Sequence, residues 1–336
     1  GAARLLRAAH IGGDRVRAQA GAGTATPVAC TSALVPYDLS MVSMKPPHQP
    51  GSAEDRAVYE VVLDDALRRA LDALDAQNAT LDQWKLKRPD LWPTVLHKLK
   101  VRWTTDSNAI EGSTLTFAET LFFLEHGLTV KGKPFKDHLD ARNHAQAIEL
   151  VFDAVASRRP ITEGLIKELN AVILSGITHT PARDHLGQIV QKPATPGVYK
   201  QWPNHVLQAD GTIHTYAEPL QVQPQMQELC SYIERSSGHV HHAIVAALAH
   251  YNFVRIHPFD DGNGRGARIL MNIVLMRGGF PPAVLPATER QDYIASLVEA
   301  DTGNIRPFVD FVVTHAGLTI DSIAGDCAKA PPDRGA

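Results

Sequence analysis

The side chains best suited to chemistry crowd into one stretch, His257 to Arg268: His257, Asp260, Asp261, Gly262, Asn263, Gly264, Arg265 and Arg268. The glycines let backbone amides approach a ligand closely. The apolar run that follows (Ile269, Leu270, Ile273, Val274, Leu275) predicts a helix, whose N-terminus favours an anion. Arg265 and Arg268 are three residues apart and share one helix face. Two guanidinium forks beside an amide cradle suit a polyphosphate. Asp261 is a hard oxygen ligand, and a phosphate-bound Mg2+ needs only one or two carboxylates. His257 is the nearby side chain whose ordinary pKa suits a general base, and the two arginines are expected to help keep it neutral. A charged Gly/Asn turn would explain a few of these residues, but not the whole set at fixed offsets.

Such a loop has to be held by ordered elements, and the surrounding pattern is helical. From Glu54, the residues Val58, Val61, Val62, Leu67, Leu71 and Leu74 recur at helical spacing. A second helix is expected to start near Pro93 and carry Val95, Leu96 and Leu99. Thr116 and Glu119 form a capping box ahead of Leu121 to Leu124, with Gly127 as the stop and Phe122-Phe123 expected in the core. Further helices are predicted over Asp137 to Ala156, after the cap Thr162, over Gln225 to Ser236 and over His242 to Arg255. The run His179 to Pro219 is rich in Pro, Gly and Thr and lacks this period. Within it, Asp210-Gly211 between Val206-Leu207 and Ile213 predicts a short β-hairpin. The fold class expected is mainly α, with one short hairpin.

The 336 residues carry 33 Lys+Arg against 36 Asp+Glu, a formal net charge of −3, which argues against a generic nucleic-acid coat protein. Nothing approaches the roughly 18 uncharged apolar residues of a membrane span. Cys30, Cys230 and Cys327 are far apart and suggest neither a disulfide framework nor a zinc site, so free thiols in a reducing compartment are expected. His239, His241, His242 and His250 lack a completing cysteine or carboxylate and read as packing and surface residues. The Lys131 to Lys136 run reads as a solvated loop. Residues 1–53 carry Arg4, Arg7, Arg15 and Arg17 against Asp14, with many Ala, Gly and Pro, and read as a flexible tail. An arginine-rich, acid-poor start also fits mitochondrial targeting, as the alternative to a cytoplasmic location.

The central segment resembles the Fic motif, HxFx(D/E)GNGRxxR, at every fixed position: His257, Phe259, Asp261, Gly262, Asn263, Gly264, Arg265 and Arg268. Ala246 to His250, Asn143-His144-Ala145 and Arg290 to Tyr293 add to the likeness, which covers about Trp103 to Leu318. It implies a Fic-type helical core and protein AMPylation: transfer of AMP from ATP to a Ser, Thr or Tyr hydroxyl of a target protein. It further implies that His257 takes the hydroxyl proton and Asp261 holds Mg2+, or Mn2+ instead, on the phosphates. Asn263 and the Gly262 and Gly264 amides would stabilise the α-phosphate, Arg265 and Arg268 would bind the β and γ phosphates, and Phe259 would be an apolar anchor. The related Doc kinases have lysine where this chain has Gly264, so the glycine favours AMP transfer. A transferase of another nucleotide or of phosphate, or a nucleotide-sensing module, is the alternative.

Ser107 to Gly112 resembles the family's inhibitory pattern, (S/T)xxxE(G/N), placed before the core. The resemblance implies that Glu111 pairs with Arg268 and restrains the enzyme, and leaves open that the same site also removes AMP. Tyr199 to His214 falls where the Fic flap is expected to add a target strand, with Tyr199, Trp202 and Val206 as candidate contacts. The expected organisation is a tail at 1–53, N-terminal helices at 54–102, a Fic domain at 103–320 with its inhibitory motif at 107–112, and a flexible C-terminus at 321–336. Self-regulation through a homodimer, frequent in the family, carries over as an expectation.

Overall fold

A computed structural model describes residues 57–183, 189–204, 206–207 and 213–330. The expected tail at 1–53 lies outside the described residues. Residues 57–64 are not helical, and α1 (Asp65–Lys87) begins only where Asp64 accepts the Leu67 amide as its cap. α1 gives way to Pro89, whose ring disfavours helical backbone before it. Pro93 sits in the first turn of α2 (Trp92–Ile110), where its missing N–H costs nothing. α2 crosses the expected 102/103 boundary unbroken.

The capping box predicted for α3 (Phe117–His126) is present, and Gly127 ends it in the left-handed region. The expected core position of Phe122-Phe123 is not what forms. Only Thr120 of α3 is buried, Phe122 is 41% exposed and stacks on His126, and Phe123 meets the edge of His138. The reason is that α3 is a short surface helix set against α2 and α4 (Phe135–Ala156).

α5 (Glu163–Ile173) follows, capped by Thr162. The polar interruption then forms two antiparallel hairpins: β1 (His179–Arg183) with β2 (Ile189–Pro193), and β3 (Val206–Leu207) with β4 (Ile213–His214). The second pairs Val206 with His214 and Leu207 with Ile213, around the turn signal. The first carries no such signal. α6 (Pro219–Ser236) starts earlier than its apolar pattern, with Pro219 in the first turn and a capping box between Glu218 and Gln221.

α7 (His242–Ile256) is buried at every residue from Ala243 to Phe253, as expected of a helix apolar on all faces. It packs against α8 (Asn263–Arg277), and around this pair lie α4, α5, α6 and α10 (Arg306–Lys329). α9 (Arg290–Asp301) leans on α10. The flexible C-terminus expected from 321 is corrected: α10 runs to Lys329 with Ile323 and Cys327 buried and packs along α1. Its apolar spacing persists past 320, so there is core to gain by staying helical. No helix among the described residues is long and apolar enough to cross a membrane.

Candidate active site

His257 ends α7 in the left-handed region, with φ of 51°. Backbone of this kind is costly for a side-chain-bearing residue and concentrates at functional sites. It turns the chain sharply out of α7 and presents the imidazole at the helix end. Nδ1 lies 3.3 Å from the Val254 carbonyl, so the tautomer that makes this bond carries its proton on Nδ1 and leaves Nε2 as the acceptor. The ring stacks on Tyr216 at 3.8 Å between centroids. Burial, reinforced by the Lys200 ammonium, pushes the His257 pKa down to about 3. The imidazole is therefore neutral, as a base must be. The cation responsible is Lys200, not the arginines expected from the sequence: Arg265 and Arg268 are each paired with a carboxylate.

The turn into α8 depends on Gly262. It sits at φ of 77°, and a Cβ there would come within 3.2 Å of Asn170 Nδ2 and 3.3 Å of Ile173 Cγ2. Asn263 accepts from the Phe259 amide (2.9 Å) and donates to the Phe259 carbonyl (2.8 Å). Its side chain thus closes the loop through both backbone groups of Phe259. Phe259 itself is buried, as expected of an anchor. No side chain caps α8. The Asn263, Gly264 and Arg265 amides, in its first turn, therefore lack intrahelical carbonyl partners.

Behind this turn the two arginines are buried. Arg265 donates to Asp140 (2.8 Å). Arg268 donates from Nε to Ser107 Oγ (3.0 Å), and from Nη2 to the Ser107 carbonyl (2.9 Å) and to Glu111 Oε1 (2.7 Å). Burial alone would raise the Glu111 pKa, but Arg268 overrides it and holds the carboxyl below its usual range. Arg265 Nε and Arg268 Nη1 remain buried without a hydrogen-bond partner. The Glu111 carboxylate lies in front of Gly264: a Cβ at 264 would meet Oε1 at 2.3 Å. The sequence reading paired Glu111 with Arg268 and put Ser107 in the same motif; these three meet, and Gly264 lies beside Glu111, which the sequence did not suggest.

Asp261 accepts from the Gly262 amide (2.5 Å) and lies 3.6 Å from Arg265 Nη2 through the same oxygen, Oδ1. Among the described residues its second oxygen has no such contact. No cluster of three or more potential ligands occurs among the described residues. The donor set therefore fits a cation held mainly by phosphate and completed by one carboxylate, and not a cage built from protein.

The sequence reading missed the residues that hold the loop in shape. Lys200 donates from its amide to Pro258 O (2.9 Å) and from Nζ to Asn204 (2.7 Å) and Ile256 O (3.3 Å). Asn204 donates to Phe259 O (2.9 Å). Lys192 and Thr195 bind the two carboxylate oxygens of Asp260. Asn170 donates to Asp261 O and accepts from Gly197 N. The interruption between α5 and α6 is thus the mould of the loop. Asp140 was legible in principle, as an acid one turn before His144 on the apolar face of α4.

Of the three flap candidates, Trp202 is 67% exposed and available to a partner. Tyr199 is not: its hydroxyl donates to Glu163 (2.8 Å), its ring meets Phe259, and Lys167 lies over it at 4.0 Å. It anchors the segment to α5. Val206 lies in β3, and its side chain is outside the described residues.

Residues 160–275 match the model of the Fic/DOC family. A protein adenylyltransferase Fic of Nematostella vectensis is 35% identical over 218 residues, 64% of this chain and 47% of its own length. One from Drosophila willistoni is 30% identical over 295 residues, 85% of this chain and 53% of its own. The chain thus spans about half the length of the curated relatives it matches. Among solved structures, a Fic domain containing signaling protein from Bacteroides thetaiotaomicron is similar with a TM-score of 0.67 at 28% identity, over 80% of this chain and 100% of that one. Fic-1 from C. elegans gives a TM-score of 0.67 at 25% identity, over 79% and 73%.

Proposed function

This chain carries a domain of the Fic/DOC family, and from that premise we propose that it is a protein adenylyltransferase, restrained by its own Glu111. The observation that carries the reading is one arrangement: a neutral His257 beside the uncapped start of α8, backed by two buried arginines.

In this reading ATP lays its phosphates on the first turn of α8. The Asn263, Gly264 and Arg265 amides and the helix dipole take the charge. Arg265 and Arg268 receive the β and γ phosphates. Asp261 would hold a Mg2+ or Mn2+ ion, which supplies charge neutralisation on the phosphates when bound. The hydroxyl of a Ser, Thr or Tyr of a target protein gives its proton to His257 Nε2. Its oxygen forms a bond to the α-phosphorus as the bond to the pyrophosphate oxygen breaks, and pyrophosphate leaves. His257 then releases the proton to solvent. Little covalent work falls to the protein, so positioning and charge stabilisation supply most of the rate.

The restraint follows from Arg268. Two of its nitrogens are committed to Ser107 and Glu111, so a γ-phosphate has to compete with a carboxylate already in place. ATP bound under those conditions would not settle in the pose for in-line attack. Glu111→Gly removes the competitor while leaving His257 and the cradle intact. The test is incubation of wild-type and Glu111→Gly protein with labelled ATP, Mg2+ and a cell extract. Stronger labelling of the variant, or of a protein in the extract, is expected. Equal labelling of the two would overturn the restraint.

A further inference from the structure

Tyr216 lies in the segment joining β4 to α6, outside the Fic motif. Its ring lies nearly flat on the His257 imidazole, with centroids 3.8 Å apart and planes 21° apart. Two residues earlier, His214 meets Tyr216 edge-on at 4.8 Å, and His214 is the β4 residue paired with Val206 in β3. The next residue, Ala217, is buried, and Glu218 then caps α6. Tyr216 therefore sits at the joint between the hairpin and the helical body.

The imidazole has little else to orient it. Its hydrogen bond to Val254 is long at 3.3 Å, and its backbone is in a strained conformation. The charged and titratable groups that act on His257 are Lys200, Glu111 and His214. Asp301 lies behind His214 at 3.8 Å, and Lys200 Nζ is 5.8 Å from the Tyr216 ring centroid. Among the described residues, the Tyr216 ring is the one stacked face to face on the imidazole, and stacking constrains its plane where the single long hydrogen bond fixes only one edge. A proton-accepting nitrogen works only within hydrogen-bond reach of the hydroxyl, and a misplacement of about 1 Å costs on the order of 10²-fold in rate.

We infer that Tyr216 is a positioning residue: it sets the plane of His257 from the base of the hairpin, so that a target strand paired on the hairpin meets a base already aimed. This rests on the adenylyltransferase reading, and the test separates the two. In the Glu111→Gly background, the rate of self-labelling is measured against ATP concentration for Tyr216, Tyr216→Leu and Tyr216→Phe. Tyr216→Leu is expected to lower the limiting rate about 10²-fold while the half-saturating ATP concentration stays within about twofold. Tyr216→Phe, which keeps the stacked ring, is expected to recover most of the rate. Unchanged calorimetric ATP binding checks that Tyr216→Leu is folded. A Tyr216→Leu protein at full rate would overturn the inference, as would equal losses in Leu and Phe. Absence of labelling in the Glu111→Gly parent would instead sink the adenylyltransferase reading. A second readout does not need activity: the His257 ring-proton resonances should lose their ring-current displacement in Tyr216→Leu and keep it in Tyr216→Phe. Identical resonances in the Leu and wild-type proteins would refute the stacking role.

Discussion

At the scale of single residues, His257 is tuned by its neighbours more than by its own motif. Burial and Lys200 both disfavour the imidazolium, so the base is neutral well below the ordinary histidine range. Lys200 is itself buried, which brings its pKa down to about 8. Removing that positive charge makes protonation of His257 easier. Lys200→Met is therefore expected to raise the His257 pKa, and since the protonated ring cannot accept the target's proton, the acid limb of the rate moves to higher pH. An NMR titration of His257 checks the first part and a pH–rate profile the second; an unmoved titration in Lys200→Met would show that Lys200 does not act on the base. Gly264 illustrates a different constraint. Its missing side chain leaves room for the Glu111 carboxylate in the resting molecule, at the amide where a phosphate is proposed to lie.

At the scale of elements, the proposed restraint depends on how the end of α2 is held. Arg290, at the start of α9, donates to the Ile110 carbonyl at 2.8 Å, and the Ala287 amide reaches Asp106 at 3.4 Å. These contacts fix the last turn from which Glu111 projects. Arg290→Ala leaves the nucleotide cradle untouched and loosens that turn. A hydrogen bond from a charged donor is worth about 1.5–3 kcal/mol, so self-labelling is expected to rise several-fold above wild type without reaching the Glu111→Gly level. A rate no higher than wild type would mean that the α9 contact does not support the inhibitory pose. The motif, its helix and the inhibitory pattern were legible because each is local: His257 to Arg268 and Ser107 to Gly112 carry their meaning in spacing. The second hairpin was legible from Asp210-Gly211. Lys192, Thr195, Lys200, Asn204 and Asn170 were not, because each matters only through a backbone group or side chain many residues away. Tyr199 was misjudged for the same reason: an aromatic in a loop looks like a contact for a partner until its hydroxyl is seen on Glu163.

At the scale of the molecule, α10 packs against α7 and α1 packs along α10, and this closure was the part of the fold least visible in sequence. Past 320 the apolar spacing of α10 rests on Ile323 and Cys327, and both are buried. Burying an aliphatic side chain is worth about 1.5–3 kcal/mol, so truncation after residue 320 is expected to lower the denaturation midpoint clearly in a urea titration. An unchanged midpoint would show that the last turns of α10 add nothing. The whole arrangement serves one claim, that α8 and His257 are built to pass the α-phosphate of ATP to a hydroxyl. The most direct measurement uses the Glu111→Gly protein with ATP labelled either at the α- or at the γ-phosphate, alongside the Glu111→Gly, His257→Ala double variant. Transfer of the α-label alone, lost by about 10² to 10⁴-fold without the histidine, is the predicted result. Transfer of the γ-label, or α-labelling that survives loss of His257, would contradict it.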